Sequence, residues 1–552
     1  MSVVKECIAM SRFYVDYWSR EWVDENDFPE AELVSFKEDY ANRDLGVAFS
    51  GGGTRSAACT VGQLKALDEL GLLPRVKYIS AVSGGGWAAT PFTYTKNTEQ
   101  YFGEIRDPEN ITCSNSKSVH PKSMQSAITN SPLISNLITG GLKLKGDESF
   151  AYSLGEVFLK PYGLHDSSRY FTFNEETEAL TRQGFPPNTK TDFYLVRKGA
   201  PYLILGATLL NEDGLASDKK YHVEYTPFYS GVRVGHIDKD LWSSNDYFGG
   251  GYVTSCGYDC IGPYNKRTLE GREQLLVKQA PVLSFDITNE KAFSLNDIIA
   301  STGAAPQEIT NNIRLGALGF PEFNHIPLNT LEGDNSVSEE YPHSDGGHLE
   351  NLGIMPLLAR KMTKIVVFVN TKKPFTPNKK KPLDSGFNKS VKALFVPIDN
   401  LFKKGDFATN VVFDNGEEEL TKLIGQFSQL VKKESSSDEY IAKTALFAKT
   451  KLVTTSNEHY GINAGHEVEI TWVYNCRSSA WEKKLKDKDL GKLIANKKRL
   501  IGDQKGLEDF PHYGTFFENF RGVVELTKVQ TNLLTNLSYW VAKKSSKWGL
   551  TK

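Results

Sequence analysis

The chain has 552 residues, enough for one large α/β domain with insertions or for two or three ordinary domains. Hydrophobic residues make up 39% of the sequence and charged residues 24%, a balance typical of a soluble globular protein. The formal net charge of −2 gives no general basic field, which argues against a chain that binds nucleic acid through its overall charge.

The sequence carries no targeting or membrane-spanning signal. No apolar run approaches the roughly 18 residues that a membrane span requires, and charged residues interrupt the N-terminal segment. The 6 scattered cysteines suit a reducing compartment. Cys256 and Cys260 are close in sequence, but no second pair or histidine lies at zinc-ligand spacing, so we expect free thiols. These observations predict a cytoplasmic protein without a bound metal.

Residues 1–45 contain a group of aromatic side chains. We expect an amphipathic helical segment that packs on the core; a helix that touches a membrane is the alternative. The aromatic residues are Phe13, Tyr14, Tyr17, Trp18 and Trp22.

The most informative stretch of the chain begins with a short apolar segment and three glycines. Residues 46–50 (GVAFS) predict a buried strand, glycines 51–53 follow directly, and residues 56–70 have the spacing of a helix. Main-chain N–H groups of such a turn, beside a helix N-terminus, can converge on a negatively charged oxygen. Arg55 adds a positive charge. The turn is therefore a candidate oxyanion hole.

A second predicted strand ends at a serine. Residues 76–82 (VKYISAV) predict this strand, and Ser83 stands before three glycines and a helix that begins near Trp87. A serine on a sharp strand-to-helix turn exposes its hydroxyl at the top of a sheet, usually in the pattern Gly-x-Ser-x-Gly. Ala81 replaces the first glycine, a small but less permissive residue. An oxyanion hole at one strand end and a nucleophile at the next indicate an acyl-transfer site.

Residues 95–150 are polar and irregular. A stretch of this kind inside a compact domain predicts a lid or cap over a site, or a mobile loop.

An aspartate far downstream is the candidate base. Asp345 follows Ser344 and precedes two glycines, a helix is expected up to Lys361, and residues 364–370 predict a central strand. An isolated aspartate of this kind is an ordinary turn residue. His343 and His348 flank it, so a Ser–His–Asp triad remains an alternative.

Residues 372–381 (KKPFTPNKKK) form a lysine-rich loop after the predicted strand. Such a loop is usually a solvated turn, and attraction to phospholipid headgroups is the second interpretation.

Together these motifs resemble the patatin and cytosolic phospholipase A2 / phospholipase B superfamily. The resemblance is carried by the Gly-Gly-Gly-x-Arg turn at residues 51–55, by the serine elbow about thirty residues later, and by Ser344-Asp345-Gly346-Gly347. Residues 295–305 (LNDIIASTGAA) are similar to a small-residue segment of the family, and residues 509–515 are similar to a segment near its C-terminal end. The similar blocks extend from about residue 40 to about residue 520.

The resemblance implies an α/β fold of the three-layer α/β/α patatin-like type, as in the cytosolic phospholipase A2 catalytic domain, with a central mixed sheet and a cap or lid insertion. It implies a catalytic domain over residues 46–552 and a Ser–Asp dyad without histidine. The implied site residues are Ser83 and Asp345 as the catalytic dyad, Gly51, Gly52 and Gly53 in the oxyanion hole, Arg55 at the substrate phosphate or holding the turn, and Gly84, Gly346, Gly347 and His348 shaping the turns or touching substrate.

The resemblance further implies a phospholipid or lysophospholipid substrate, transient contact with a membrane surface, no cofactor, no nucleic acid and no partner protein. There is no room for a calcium-binding C2 domain before residue 46, so calcium-driven targeting is not implied. A non-catalytic lipid-binding scaffold and an acyltransferase that uses the same acyl-enzyme remain alternatives.

Nucleotide binding is the competing interpretation of the glycine turn, and the sequence argues against it. A Walker loop requires Gly-Lys-Ser/Thr, where this chain has Gly53-Thr54-Arg55. A dinucleotide fingerprint requires an acidic residue at the end of the second strand, where Ser83 stands.

Overall fold

The structure is a computed structural model with side chains. It describes residues 12–130, 149–187, 189–210, 220–238, 246–269, 272–278, 292–304, 321–326, 328, 338–398, 410–434, 438–514 and 525–545.

The strands and helices alternate along much of the described chain. The strands are β1 Arg12–Ser19, β2 Leu45–Phe49, β3 Val76–Val82, β4 Tyr170–Thr172, β5 Phe193–Leu195, β6 Tyr202–Leu210, β7 Lys220–Tyr225, β8 Tyr229–Val232, β9 His236–Asp238, β10 Asp246–Phe248, β11 Gly251–Thr254, β12 Ile261–Leu269, β13 Arg272–Lys278, β14 Glu322–His325, β15 Glu339–Asp345, β16 Lys364–Val369, β17 Val431–Lys433, β18 Tyr440–Ala442, β19 Leu446–Val453 and β20 Glu467–Tyr474. The helices are α1 Arg20–Asn26, α2 Val34–Tyr40, α3 Gly53–Glu69, α4 Gly84–Tyr94, α5 Thr98–Phe102, α6 Met124–Thr129, α7 Ser149–Leu154, α8 Glu175–Arg182, α9 Leu295–Thr302, α10 Met355–Ala359, α11 Lys389–Ala393, α12 Gly416–Leu430, α13 Ser479–Lys484, α14 Lys488–Ala495 and α15 Lys528–Ser545.

One large mixed sheet organises the described residues. Its main path runs β12-β13-β1-β11-β8-β7-β6-β3-β2-β16-β20-β19, and β15 joins it on β6 with β14 beside it. The central strands β6, β3, β2, β16 and β20 pair in parallel, whereas the flanking strands pair antiparallel. The predicted α/β class with a central mixed sheet is therefore confirmed.

The sheet separates two hydrophobic cores. In β2, Val47 and Phe49 face one core with α3 and α15, whereas Ala48 faces the other core with α10 and α12. In β16, Val366 faces the core with α3 and α15, and Val367 faces the core with α10 and α12. Side chains alternate between the faces of a strand, and helices on both faces bury a parallel sheet completely. The result is the three-layer α/β/α arrangement.

The N-terminal segment differs from its prediction. Residues Arg12–Ser19 form strand β1 instead of a helix, pairing with β13 along one half and with β11 along the other. Aromatic and β-branched side chains suit a pleated, buried surface, and the two neighbouring strands supply main-chain partners. The helices of this segment come later in the chain, as α1 and α2. The division of the chain at residues 45 and 46 stays a prediction.

The predicted lid of residues 95–150 lies partly outside the described residues, which omit 131–148. In the described part, α6 packs against α3 and α15, and Tyr101 and Met124 are buried in the core. A covering role for this insertion stays a prediction.

Candidate active site

Ser83 lies on a strained turn between β3 and α4. Its φ is 54° and its ψ is −128°, a conformation that non-glycine residues rarely adopt and that costs about 1–3 kcal/mol. The backbone of the turn packs closely against its neighbours: a Cβ added to Gly84 would lie 1.9 Å from the carbonyl oxygen of Gly53, and one added to Gly85 would lie 2.7 Å from that of Phe49. Glycine at both positions is thus what allows the sharp elbow.

Asp345 meets Ser83 because two strands lie end to end along one edge of β6. Val82, the last residue of β3, is opposite Gly206, and Asp345, the last residue of β15, is opposite Ala207. Since β3 runs parallel to β6 and β15 runs antiparallel to it, their C-terminal ends face each other. The Ser83 hydroxyl donates to Asp345 Oδ2 at 2.6 Å.

The second oxygen of the same carboxylate is also bound. The N–H of Gly347 donates to Asp345 Oδ1 at 2.7 Å. A Cβ added to Gly346 would lie 2.4 Å from the carbonyl oxygen of Gly206, so this turn also requires glycine. The carboxylate is therefore fixed from both sides, with one oxygen directed to Ser83.

Both flanking histidines lie at hydrogen-bond distance from residues other than Ser83. His343 is fully buried; its Nδ1 is 2.8 Å from the Tyr341 carbonyl oxygen and its Nε2 is 2.7 Å from the Tyr258 hydroxyl. Burial lowers the pKa of His343 to about 3, which keeps the ring neutral. His348 Nδ1 lies 2.7 Å from the Ser344 hydroxyl, a contact within the turn. The Ser83 hydroxyl instead bonds to Asp345.

The glycine turn lies directly against the elbow. A Cβ added to Gly51 would lie 3.1 Å from Ser83 Cβ. The N–H of Gly51 donates to the Asn351 carbonyl oxygen at 2.9 Å, which removes Gly51 from the predicted oxyanion donors. In the described part of the chain, the N–H groups of Gly52 and Gly53 at the start of α3, and of Gly84 at the start of α4, make no hydrogen bond to protein. These three donors remain for a negatively charged oxygen.

Arg55 ties the glycine turn to two distant segments. Arg55 is 3% exposed; its Nε donates to the Asn370 carbonyl oxygen at 3.1 Å, and its Nη1 donates to that of Tyr513. Burial lowers its pKa to about 10, so it stays charged at neutral pH. A Cβ added to Gly52 would lie 2.3 Å from Nη2, which places that nitrogen beside the turn. Arg55 therefore holds the turn, and contact with a phosphate stays a prediction.

Two asparagines that the sequence did not single out support the same turns. Asn370 directly follows β16; its N–H donates to Ser50 Oγ at 2.8 Å, and its Oδ1 accepts from Gln63 Nε2 at 2.7 Å. The main-chain carbonyl oxygen of Asn351 accepts from the N–H of Gly51. The sequence feature that could have identified Asn370 is its polar side-chain amide, which directly follows an apolar strand at the sheet edge where the candidate site was expected.

Glu350 shapes the segment after the aspartate turn. Its carboxyl accepts from the N–H groups of Leu352 at 2.6 Å and Ile354 at 3.0 Å. Burial raises its pKa to about 7, with these N–H groups acting in the opposite direction. The side chain thus fixes the loop that presents Asn351.

Over the ranges given above, the structure offers no cluster of three or more His, Cys, Asp or Glu side chains that could hold a metal. Cys256 and Cys260 are buried thiols that form no disulfide with each other, and Cys260 Sγ donates to the Cys256 carbonyl oxygen at 3.7 Å. Among the same residues, none of the helices combines the length and apolarity needed to cross a bilayer.

No protein-family model and no curated protein matches the chain. Solved structures of a human protein do match in part. Human GIVD cytosolic phospholipase A2 matches at 12% identity with a TM-score of 0.38, over 94% of this chain and 62% of that chain. The same human enzyme in complex with methyl gamma-linolenyl fluorophosphonate matches at 13% identity with a TM-score of 0.34, over 94% of this chain and 60% of that chain. The chain thus spans about three fifths of the length of these solved chains.

Proposed function

We propose that this chain is a serine acyl hydrolase that cleaves fatty-acyl esters of phospholipids or lysophospholipids. The observation that carries the proposal is the 2.6 Å hydrogen bond from the Ser83 hydroxyl to Asp345 Oδ2, made on a turn with a φ of 54°. A strained serine whose hydroxyl bonds to a carboxylate held in place by its second oxygen is the arrangement of a nucleophile and its base.

The first half of the proposed reaction forms an acyl-enzyme. Asp345 Oδ2 takes the proton of the Ser83 hydroxyl as Oγ attacks the ester carbonyl carbon. The tetrahedral intermediate collapses, the bond to the alcohol breaks, and the protonated Asp345 returns the proton to that alcohol. The fatty acyl group is left on Ser83.

The second half reverses the roles with water. Asp345 takes a proton from a water molecule that attacks the acyl carbonyl carbon, and collapse releases the fatty acid. Ser83 leaves as the alcohol with the proton that Asp345 returns. The proposed chemistry uses no cofactor.

The negative charge of each intermediate requires donors that are already in place. The N–H groups of Gly52, Gly53 and Gly84 are the candidates, because they begin two helices beside Ser83 and bind no protein group in the described part of the chain. Preorganised N–H donors avoid the reorganisation that water would need, and one such donor contributes about 3–4 kcal/mol to transition-state stabilisation.

The proposed lipid substrate is supported by the charge around the site. The lysine-rich loop starts just after β16, whose C-terminal end lies at the same sheet edge as the elbow. The loop begins two residues after Asn370, whose carbonyl oxygen accepts from Arg55 Nε at 3.1 Å. Partial burial and, second, the charge of Arg55 lower the pKa of Lys372. Lys379, Lys380 and Lys381 are exposed. We propose that the cytoplasmic protein binds membrane surfaces transiently through this loop, without nucleic acid or a partner protein.

Product analysis tests the function. The purified protein is incubated with phospholipid and with lysophospholipid that carry a labelled acyl chain, beside a Ser83→Ala variant. Released fatty acid that disappears in the variant supports the hydrolase. Label transferred to added glycerol or lysolipid, in place of free fatty acid, would indicate an acyltransferase. Lipid binding without any turnover would indicate a non-catalytic scaffold.

A further inference from the structure

A threonine on α9 links the elbow to the sheet. The N–H of Ser83 donates to Thr302 Oγ1 at 3.0 Å, and the same hydroxyl donates to the Gly206 carbonyl oxygen at 2.6 Å. Thr302 is fully buried. One hydroxyl therefore accepts from the nucleophile's main chain and donates to β6.

The position of this link in the sheet is specific. Gly206 is the β6 residue opposite Val82, and the next β6 residue, Ala207, is opposite Asp345. Thr302 thus attaches Ser83 to β6 at the junction of the two strand ends that carry the nucleophile and the base. Movement of the Ser83 main chain at this point would change its distance from Asp345 directly.

The helix that carries Thr302 is itself anchored. The indole N–H of Trp87 on α4 donates to the Ile299 carbonyl oxygen at 3.1 Å, and the Tyr225 hydroxyl lies 2.9 Å from that of Ser301. A Cβ added to Gly86 would lie 3.1 Å from Thr302 Cγ2, so α4 and α9 are in close contact. These contacts hold the part of α9 that carries Thr302 in place.

Two requirements of the elbow are met by this hydroxyl. The positive φ of Ser83 is unfavourable for a serine and has to be held by its surroundings. In addition, the Ser83 N–H donates to Thr302 Oγ1. It therefore does not bind the oxygen of a reacting ester in place of the N–H groups at the starts of α3 and α4. In the part of the chain that the structure describes, the Ser83 hydroxyl donates to Asp345 Oδ2.

We infer that Thr302 is a positioning residue that fixes the Ser83 main chain so that its hydroxyl reaches Asp345. This inference rests on the proposed function. Thr302 acts through Ser83 and does not touch the reacting atoms. Its loss should lower kcat and the rate of reaction with a fluorophosphonate and leave KM unchanged, because substrate contacts are retained.

Thr302→Val tests this, because valine keeps the shape and removes both hydrogen bonds. We expect kcat to fall about 10- to 100-fold at constant KM, the scale of a misplaced catalytic group. Thr302→Ser restores the hydroxyl and should recover most of the activity. Thr93→Val is the matched control: Thr93 is also fully buried, but it donates to the Ala89 carbonyl oxygen within its own helix. Circular dichroism and thermal unfolding establish that all variants are folded.

The outcomes separate this inference from the proposed function. Normal kcat in Thr302→Val, or equal losses in Thr302→Val and Thr302→Ser, would overturn the role of the hydroxyl while Ser83→Ala remains inactive. A loss as large in Thr93→Val would show a general effect of removing buried hydroxyls and would also overturn it. Full turnover in Ser83→Ala would remove the proposed function, and this inference with it.

Discussion

Arg55 and Asn370 are joined by a hydrogen bond of 3.1 Å from the guanidinium Nε to the main-chain carbonyl oxygen at the end of β16. A second nitrogen, Nη1, binds the Tyr513 carbonyl oxygen, so the glycine turn is held against two segments that are distant in sequence. The third nitrogen, Nη2, lies beside Gly52.

Arg55→Lys separates the two roles of this guanidinium. Lysine keeps the charge but cannot bind two carbonyl groups and a phosphate with one planar group. We expect kcat/KM to fall on both a short neutral ester and a phospholipid, with the larger loss on the phospholipid. Equal losses on the two substrates would restrict Arg55 to holding the turn.

Asp345→Asn keeps the shape of the side chain and removes its basicity. An amide oxygen can still accept from the Gly347 N–H, so the turn should persist. We expect turnover of a soluble ester to fall by about 100-fold or more, the usual scale for a lost general base. His348→Ala should have a smaller effect, because its ring contacts Ser344. A mild Asp345→Asn together with an inactive His348→Ala or His343→Ala would establish a triad in place of the dyad.

His325 makes stability depend on pH. Burial lowers its pKa from 6.5 to about 4, and its Nε2 accepts from the Gly249 N–H at 3.2 Å. Because the unfolded chain binds this proton more tightly, stability present above pH 6.5 is lost as the pH falls toward 4. Between pH 7 and pH 4.5, the free energy of unfolding should fall by about 2–3 kcal/mol through this group.

His325→Gln retains an acceptor without a titrating ring, so its unfolding free energy, measured in urea across this pH range, should fall less steeply than that of the wild type. The exposed His120→Gln serves as the control. Parallel pH profiles for the wild type and His325→Gln would refute the contribution of His325.

The lysine-rich loop should govern binding to charged membranes. Replacing Lys379, Lys380 and Lys381 together with Gln should weaken co-sedimentation with anionic vesicles, since each lysine near an anionic surface contributes about 1 kcal/mol, screened by salt. Hydrolysis of a soluble ester should not change.

A matched control replaces three exposed lysines near the opposite ends of the parallel strands, namely Lys198, Lys361 and Lys451. Vesicle binding that requires calcium, or that is insensitive to salt and to the loop variant, would contradict the role of the loop.

Local sequence was sufficient for the parts of the site that are continuous in the chain. The residue 76–82 strand appears as β3 with the same bounds, and Ser83 stands on the sharp turn that the following glycines predicted. Small residues at a strand end report backbone geometry directly, because larger side chains do not fit there.

What the sequence could not supply depends on contacts between distant segments. The Ser83–Thr302 bond joins residues 219 positions apart, and no local pattern distinguishes Thr302 from other threonines in a buried helix. The Gly51 N–H looked available as an oxyanion donor until the fold placed the Asn351 carbonyl oxygen against it. Likewise, the aromatic residues of β1 fitted an amphipathic helix until β11 and β13 were seen to pair with them.

Labelling with a fluorophosphonate is the most direct test of the central claim that Ser83 is a nucleophile activated by Asp345. The reagent forms a covalent bond with an activated serine, and mass spectrometry of the digested protein identifies the modified residue. We expect one adduct on Ser83, no adduct in Ser83→Ala, and slow labelling in a folded Asp345→Asn variant. Labelling at another residue, or undiminished labelling and turnover in Ser83→Ala, would contradict it.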